Sequence, residues 1–278
     1  MNGVAVIIHN MRLGIIYCCY GNPEYINDCL APWLEAKKSH NILISAVHGQ
    51  FKEYHDLGIP DNDLETIRIL SILNREGNKI DNLYIQNHYT GFSHWQTEAE
   101  IRDKGLQWLL KQNCDVIWLL DNDERYTVEQ INNIIEYINR AENRDICWFS
   151  IPFKNYVLDG KSWIDNFAPP RIFRINYKDY ELVRFFWDND VSYLNKNFKK
   201  EQVYYKYDNF PNKLISKEIS FVKHLTWLHS NGREKYEYQM KHFGHCGYKW
   251  NYETNLLEIN YDFYRKIGQN PPIIYKDE

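Results

Sequence analysis

The sequence lacks several features that define common protein classes. No apolar run approaches the ~18 residues that cross a membrane, and none of the six cysteines forms a C-x-x-C pair. A basic excess, typical of nucleic-acid-binding proteins, is also missing, since the formal net charge is −4. The short apolar run at 4–8 is followed by polar residues, without a small-residue cleavage site, so no secretory signal is predicted. We therefore expect a cytoplasmic protein with reduced, buried thiols and no integral membrane segment, and we do not expect nucleic acid as its partner.

Motifs of several enzyme classes are absent as well. The chain contains no G-x-S-x-G nucleophile elbow, no phosphate-binding P-loop and no G-x-G-x-x-G dinucleotide fingerprint. Aromatic residues are abundant instead, with 22 Tyr, 13 Phe and 9 Trp. Aromatic rings suit the C–H faces of sugars, but they also fill hydrophobic cores, so composition leaves both explanations open.

The order of apolar segments predicts an α/β fold. Continuous apolar runs at 14–20, 41–47, 80–85 and 115–120 predict buried strands, and helical periodicity in the segments between them predicts helices. This alternation is typical of a doubly wound, mostly parallel sheet, here at about residues 12–140. Further strands are predicted at 147–153 and 220–228, and a helix at 234–243. Because no repeat or flexible linker is visible, we expect residues 1–278 to form a single domain.

Three sequence patterns predict where helices begin. Asn22-Pro23 has a cap residue followed by a first-turn proline. Thr97-x-x-Glu100 and Thr127-x-x-Gln130 are capping-box patterns. Gly105 interrupts the second of these helices, which indicates close packing at that position.

Acidic residues directly follow the strand predicted at 115–120. Asp121, Asp123 and Glu124 lie beyond its carboxyl end, where ligands collect in parallel sheets. Closely packed carboxylates repel one another, and a divalent cation relieves that repulsion. Mg²⁺ and Mn²⁺ prefer such oxygen ligands and often join a carboxylate to substrate phosphates. The alternative is a polar turn in which Asp123 or Glu124 interacts with the dipole of the next helix.

The same region carries a family resemblance. Residues 100–106, followed by 115–124, resemble the central motif of family 2 glycosyltransferases with the GT-A fold, an Arg-Asn-x-Gly helix preceding an apolar strand and D-x-D-E. The first strand and the Gly21–Glu24 turn are similar to that family's opening nucleotide-binding element. Together these segments cover about the first half of the chain. The resemblance implies a GT-A-like sheet, with a nucleotide-sugar-binding half at about 12–140 and a looser, aromatic-rich acceptor half at about 141–278.

The resemblance also implies a ligand set. It implies a nucleoside-diphospho-sugar donor, with a UDP-sugar as the first choice, and Mn²⁺ or Mg²⁺ as cofactor. Two departures from the family pattern are Asp103, where the family often has Asn, and His48-Gly49-Gln50, where it commonly has an acidic residue that holds the base or ribose. The residues implied for the donor are Tyr20, Gly21, Asn22, Glu24, Arg102, Asp121, Asn122 and Asp123, and those for the metal are Asp121, Asp123, His224 and, as second choice, His229.

The second half supplies the candidates for a catalytic base. An inverting transfer needs a carboxylate that accepts the proton of the acceptor hydroxyl. Asp188 and Asp190 lie beside aromatic residues and are the candidates, while ordinary loop carboxylates are the alternative. Segments 168–174 and 222–227 resemble parts of some bacterial family 2 enzymes, including lipopolysaccharide core transferases.

These observations predict a metal-dependent glycosyltransferase with a glycan or glycoconjugate acceptor, with inversion as the first choice of mechanism and retention as the alternative. A sugar nucleotidyltransferase is the enzymatic alternative, although the 20–24 turn lacks the basic residue expected in its N-terminal loop. A non-catalytic carbohydrate-binding protein on the same fold is the other alternative.

Overall fold

The protein is a mixed α/β structure built around a seven-stranded sheet. The computed structural model describes residues 11–49, 64–77, 79–86, 94–157, 161–187, 190–198, 204–225, 247–254 and 256–277, with positions 233, 236, 237, 240 and 241. In this part of the chain the α-helices are α1 (Ile26–Ala36), α2 (Leu64–Arg75), α3 (His94–Lys111), α4 (Val128–Asn139) and α5 (Tyr261–Lys266).

The strands of the first half are β1 (Leu13–Cys18), β2 (Ile42–His48), β3 (Asn82–Ile85), β4 (Val116–Asp121) and β5 (Glu124–Arg125). Those of the second half are β6 (Trp148–Ser150), β7 (Phe153–Val157), β8 (Ser162–Phe167), β9 (Pro170–Arg174), β10 (Asn176–Tyr177), β11 (Tyr180–Trp187), β12 (Asp190–Asn195), β13 (Tyr204–Lys206), β14 (Asn212–Leu214), β15 (Val222–His224), β16 (Tyr248–Asn251), β17 (Leu256–Ile259) and β18 (Ile274–Lys276).

The central sheet has the strand order β14-β6-β9-β4-β1-β2-β3. The four strands predicted from the first half, β1 to β4, are mutually parallel. β9 is antiparallel to both of its neighbours, β4 and β6. A strand from the second half therefore lies directly against the strand that ends in Asp121.

Side chains alternate between the two faces of this sheet, and each face packs against a different set of helices and strands. Ile15 and Tyr17 of β1 point into the core formed with α1, α2 and α4. Ile16 and Cys18 point into the core formed with α3 and the second-half strands β11 and β12. Burial on both faces explains why these strands read as continuous apolar runs.

A second sheet, with the order β18-β8-β7-β15-β5, begins next to the acidic segment. β5 pairs antiparallel with β15, which places His224 opposite Glu124. β15 also runs parallel to β7, which places His224 beside Asn155. The two-residue turn between β4 and β5 thus connects the two sheets.

The helix-start predictions had different outcomes. The capping box at Thr127 and Gln130 is present in both of its hydrogen bonds. Asn22 is not a side-chain cap, because its backbone is left-handed with φ 56°, and a short 3₁₀ turn at Pro23–Tyr25 precedes α1. Thr97 does not cap α3 either, because the helix already begins at His94.

Two further predictions concern packing. A Cβ atom at Gly105 would lie 3.0 Å from Val47 Cγ1, so α3 approaches the sheet closely at this position, as expected. The cysteines of the described ranges, Cys18, Cys19, Cys29, Cys114 and Cys147, are buried thiols, as predicted. The predicted helix at 234–243 falls mainly outside the described residues. Among the helices that the structure describes, none has the length and apolarity needed to cross a membrane.

Candidate functional site

The Asp121–Glu124 segment leaves the centre of the parallel sheet at the carboxyl end of β4. Asn122 holds this turn against the end of β1, because its Nδ2 atom donates to the carbonyl oxygens of Gly21 and Asn22, each at 2.9 Å. The buried Tyr17 hydroxyl donates to Asn122 Oδ1. The two turns expected to bind a nucleotide-sugar are therefore joined by one buried amide side chain.

Asp121 is bound by two arginines. Arg102 Nη2 lies 2.9 Å from Asp121 Oδ1, and Arg171 Nη2 lies 2.7 Å from Asp121 Oδ2. Both arginines are buried, with side chains 1% and 3% exposed, and Arg102 also pairs with Glu98 at 2.7 Å. Charge-assisted hydrogen bonds of this kind are strong and directional. Burial opposes the ionisation of Asp121, but the two guanidinium groups prevail and hold its pKa below the ordinary value.

Glu124 is a fully buried acid on the other side of the turn. Its Oε1 accepts from Arg171 Nε at 2.9 Å, and its Oε2 accepts from the Tyr126 hydroxyl at 3.0 Å. Burial raises the pKa of Glu124 to about 8, because desolvation outweighs the attraction of Arg171 and the neighbouring carboxylates Asp121 and Asp123 act in the same direction. Glu124 therefore holds a proton at neutral pH and does not act as a solvated partner of the α4 dipole.

Asp123 faces β15, since its carbonyl oxygen accepts from Leu225 N at 2.8 Å and its Oδ2 lies 3.6 Å from His224 Nε2. The other ring nitrogen of His224, Nδ1, lies 2.6 Å from Asn155 Oδ1. Because that oxygen is an acceptor, Nδ1 is the donor of this contact, which leaves Nε2 on the side of Asp123. Asp123 and His224 thus form a carboxylate–imidazole pair at the edge of the turn.

The donor chemistry of this pair fits a divalent cation. Imidazole nitrogen and carboxylate oxygen are both ligands of Mn²⁺, and Asn155 would fix the ring orientation as partners of metal-bound histidines do. Four carboxyl groups, from Glu98, Asp121, Asp123 and Glu124, lie with three guanidinium groups, from Arg102, Arg125 and Arg171, and the excess of one is removed by the proton on Glu124. Within the described ranges, no group of three or more His, Cys, Asp or Glu residues could hold a metal ion. Asp123 and His224 would therefore need phosphate oxygens or water to complete the coordination.

The remaining predicted site residues lie in different surroundings. Tyr20 is packed at the end of β1, where burial raises its pKa, and Glu24 is exposed in the 3₁₀ turn. Asp190 lies in the β11–β12 hairpin and pairs with Lys206 at 2.6 Å. Asp188 and His229 lie outside the residues that the structure describes. The catalytic and metal-binding roles of these residues stay predictions.

Four residues that contribute to this arrangement were not predicted as site residues: Glu98, Glu124, Asn155 and Arg171. Arg171 and Glu124 carried a signal in the sequence, because each is a charged residue beside an apolar strand. Their pairing had no sequence signal, since 47 positions separate them.

Comparisons with known proteins give a distant similarity. No protein-family model and no curated protein matches the chain. Among solved structures, the fold is similar to the nucleoside-diphosphate-sugar pyrophosphorylase of Vibrio cholerae RC9, at 11% identity and a TM-score of 0.31. The match covers 75% of this chain and 93% of that chain. Similarity at this TM-score supports no functional conclusion.

Proposed function

We propose that this protein is an enzyme of nucleoside-diphospho-sugar chemistry, and specifically a metal-dependent glycosyltransferase that transfers the sugar to a glycan or glycoconjugate. The observation that carries the proposal is the Asp123–His224 pair. It lies beyond the carboxyl end of the central parallel strand, where α/β sheets bind their ligands.

In this proposal the residues of the chain have distinct tasks. Asp123 and His224 hold Mn²⁺ or Mg²⁺, which when bound stabilises the negative charge of the departing diphosphate. Asn122 keeps the Gly21–Asn22 turn in place beside it, where the resemblance puts the nucleotide. Asp188 or Asp190 accepts the proton of the acceptor hydroxyl.

A sugar nucleotidyltransferase is the second candidate. Such an enzyme has to bind a nucleoside triphosphate, which carries more negative charge than a diphosphate. The 20–24 turn has no basic residue. Both Arg102 and Arg171 are buried and already paired with carboxylates. Arg125 is a further guanidinium beside this turn, 4.7 Å from the centre of the Tyr25 ring, so product analysis is needed to separate the two candidates.

Product analysis separates the candidates. The purified protein is incubated with a panel of nucleotide-sugars and acceptor glycans, with and without Mn²⁺, and release of free nucleoside diphosphate is measured. A glycosyltransferase releases the diphosphate only with metal, whereas a nucleotidyltransferase releases pyrophosphate from a nucleoside triphosphate and a sugar 1-phosphate. Binding of a donor without turnover of any substrate would instead indicate a non-catalytic carbohydrate-binding protein.

Matched variants test the residues. Asp123→Asn and His224→Gln are each expected to lower kcat/KM by ~100-fold or more, because each removes a ligand of the metal. Asp115→Asn is the control, since Asp115 lies at the opposite end of the same strand, where its Oδ2 accepts from Arg12 N at 2.7 Å. Full activity in both folded site variants would refute the proposed site.

A further inference from the structure

Arg171 bridges the two acids that flank Asp123. Its Nη2 atom lies 2.7 Å from Asp121 Oδ2 and 2.8 Å from Glu124 Oε1, and its Nε atom lies 2.9 Å from the same glutamate oxygen. One rigid guanidinium therefore fixes the residue before the turn and the residue after it. Lysine has no such fork of donors, so it could not reproduce this bridge.

The same side chain also contacts the histidine side of the site. The Arg171 guanidinium carbon lies 5.3 Å from the centre of the Phe153 ring, and that ring lies 5.0 Å from the His224 ring. Arg171 is thus packed between the acid turn and the ring that supports His224. Arg171 therefore contacts the two acids on either side of Asp123 and, on its other side, the ring that packs against His224.

Asp121 and Asp123 differ in their contacts, because only Asp121 is bound by the two arginines. Each oxygen of Asp121 faces a buried guanidinium group, whereas Asp123 faces His224. Moving Asp121 onto another ligand would leave Arg102 and Arg171 with less compensation inside the protein, which is costly for buried charges. Asp121 therefore serves as the counter-ion that keeps the arginines in place.

We propose that Arg171 is a positioning residue, which, by bridging Asp121 and Glu124, holds Asp123 opposite His224. The part of this proposal that concerns cation affinity rests on the proposed function, whereas the part that concerns the geometry of Asp123 and His224 does not. Arg171 touches neither donor nor acceptor in this role, because it is buried beneath the turn.

The test compares two arginines of the same strand. Arg171→Lys removes the bridge but keeps the charge. Arg174→Lys is the matched control, because the Arg174 guanidinium donates to the carbonyl oxygens of Ile138, Asn143 and Ile146 and contacts no acid of the site. Folding is checked by circular dichroism. Mn²⁺ affinity is measured by titration, and the His224 imidazole signal is observed by NMR without metal, assigned through its loss in His224→Gln.

We expect Arg171→Lys to shift the His224 signal and to weaken Mn²⁺ binding by ~10-fold or more, as loss of supporting contacts does at other metal sites. Arg174→Lys is expected to leave both unchanged within about 2-fold. An unchanged His224 signal in folded Arg171→Lys would overturn the proposal. A wild-type protein that binds no Mn²⁺, but whose His224 signal still shifts in Arg171→Lys, would refute the proposed function and support the positioning role.

A second variant tests the proposal if Arg171→Lys does not fold. Arg171→Gln combined with Glu124→Gln removes one cation and one acid together, so Asp121 retains Arg102 as its partner. The same shift of the His224 signal is expected. Its absence in the folded double variant would overturn the proposal.

Discussion

At the scale of single residues, Asp121 and Asp123 are separated by one position but differ in what they stabilise. Asp121 neutralises two buried arginines, while Asp123 lies at the turn beside His224. Removing one partner from a buried ionic network leaves the other charges uncompensated, which costs more than the network itself contributes.

We therefore expect Asp121→Asn to lower the free energy of unfolding by about 2–4 kcal/mol. Asp123→Asn should change it by less than about 1 kcal/mol, since the Asp123 side chain lies at the edge of the turn, 3.6 Å from the partly exposed His224 imidazole. Urea denaturation of both variants, with Asp115→Asn as control, measures the difference. Equal destabilisation by the two site variants would contradict the assigned division of roles.

Glu124 gives the site a specific pH dependence. Its pKa is raised to about 8 by burial, so between about pH 4.5 and 8 the unfolded chain loses this proton while the folded protein retains it. The contribution of Glu124 to the free energy of unfolding is fully present below about pH 4.5, its pKa in the unfolded chain, and is lost as the pH rises through about 8, its pKa in the folded protein.

The prediction is that the free energy of unfolding of the wild type falls, relative to Glu124→Gln, as the pH rises from 5 to 8. The limiting slope is about 1.4 kcal/mol per pH unit for one proton. Urea denaturation at several pH values gives the two curves. Parallel curves would show that Glu124 ionises normally in the folded protein.

At the scale of elements, the sequence predicted the parallel strands well because they are buried on both faces. β1 to β4 begin and end within two residues of the predicted runs, and their parallel direction follows from the alternation with helices. The start of α3 was predicted wrongly, because Thr97 and Glu100 fit the capping-box pattern but lie within the helix.

The bridge through Arg171 was beyond sequence reasoning for a different reason. It depends on β9 pairing antiparallel with β4, and neither strand carries a local signal for that partner. Asp121 and Arg102 were expected to lie close together because both belong to the same motif, and they do. Their roles in ligand binding stay predictions.

The start of α4 offers a prediction at this scale. Thr127 Oγ1 accepts from Gln130 N at 3.1 Å, and the Gln130 side chain accepts from Thr127 N at 2.8 Å. Thr127→Ala removes this cap and is expected to destabilise the protein by about 1 kcal/mol, while Thr127→Ser retains the hydroxyl and should be close to wild type. Thermal unfolding distinguishes them, and equal melting temperatures would contradict the prediction.

At the scale of the whole molecule, ligand binding should stabilise the fold, because the proposed site joins both sheets. Mn²⁺ with a nucleoside diphosphate at about 100 times its Kd is expected to add about 2.7 kcal/mol, which raises Tm by several degrees. Asp123→Asn should abolish the metal-dependent part of this rise, and Asp115→Asn should preserve it. A rise of equal size in Asp123→Asn would place the metal elsewhere.

The insertion of β9 between β4 and β6 has a consequence for the order of events on the ribosome. A nascent chain of 150 residues already contains Asp121, Asp123 and Glu124, but not the strand that brings Arg171 to them. Until that strand docks, Asp121 and Glu124 lack the guanidinium group of Arg171, and the exposed edge of β4 is open to wrong pairing. The β4 side of the central sheet can therefore close only after residues 170–174 have been synthesised.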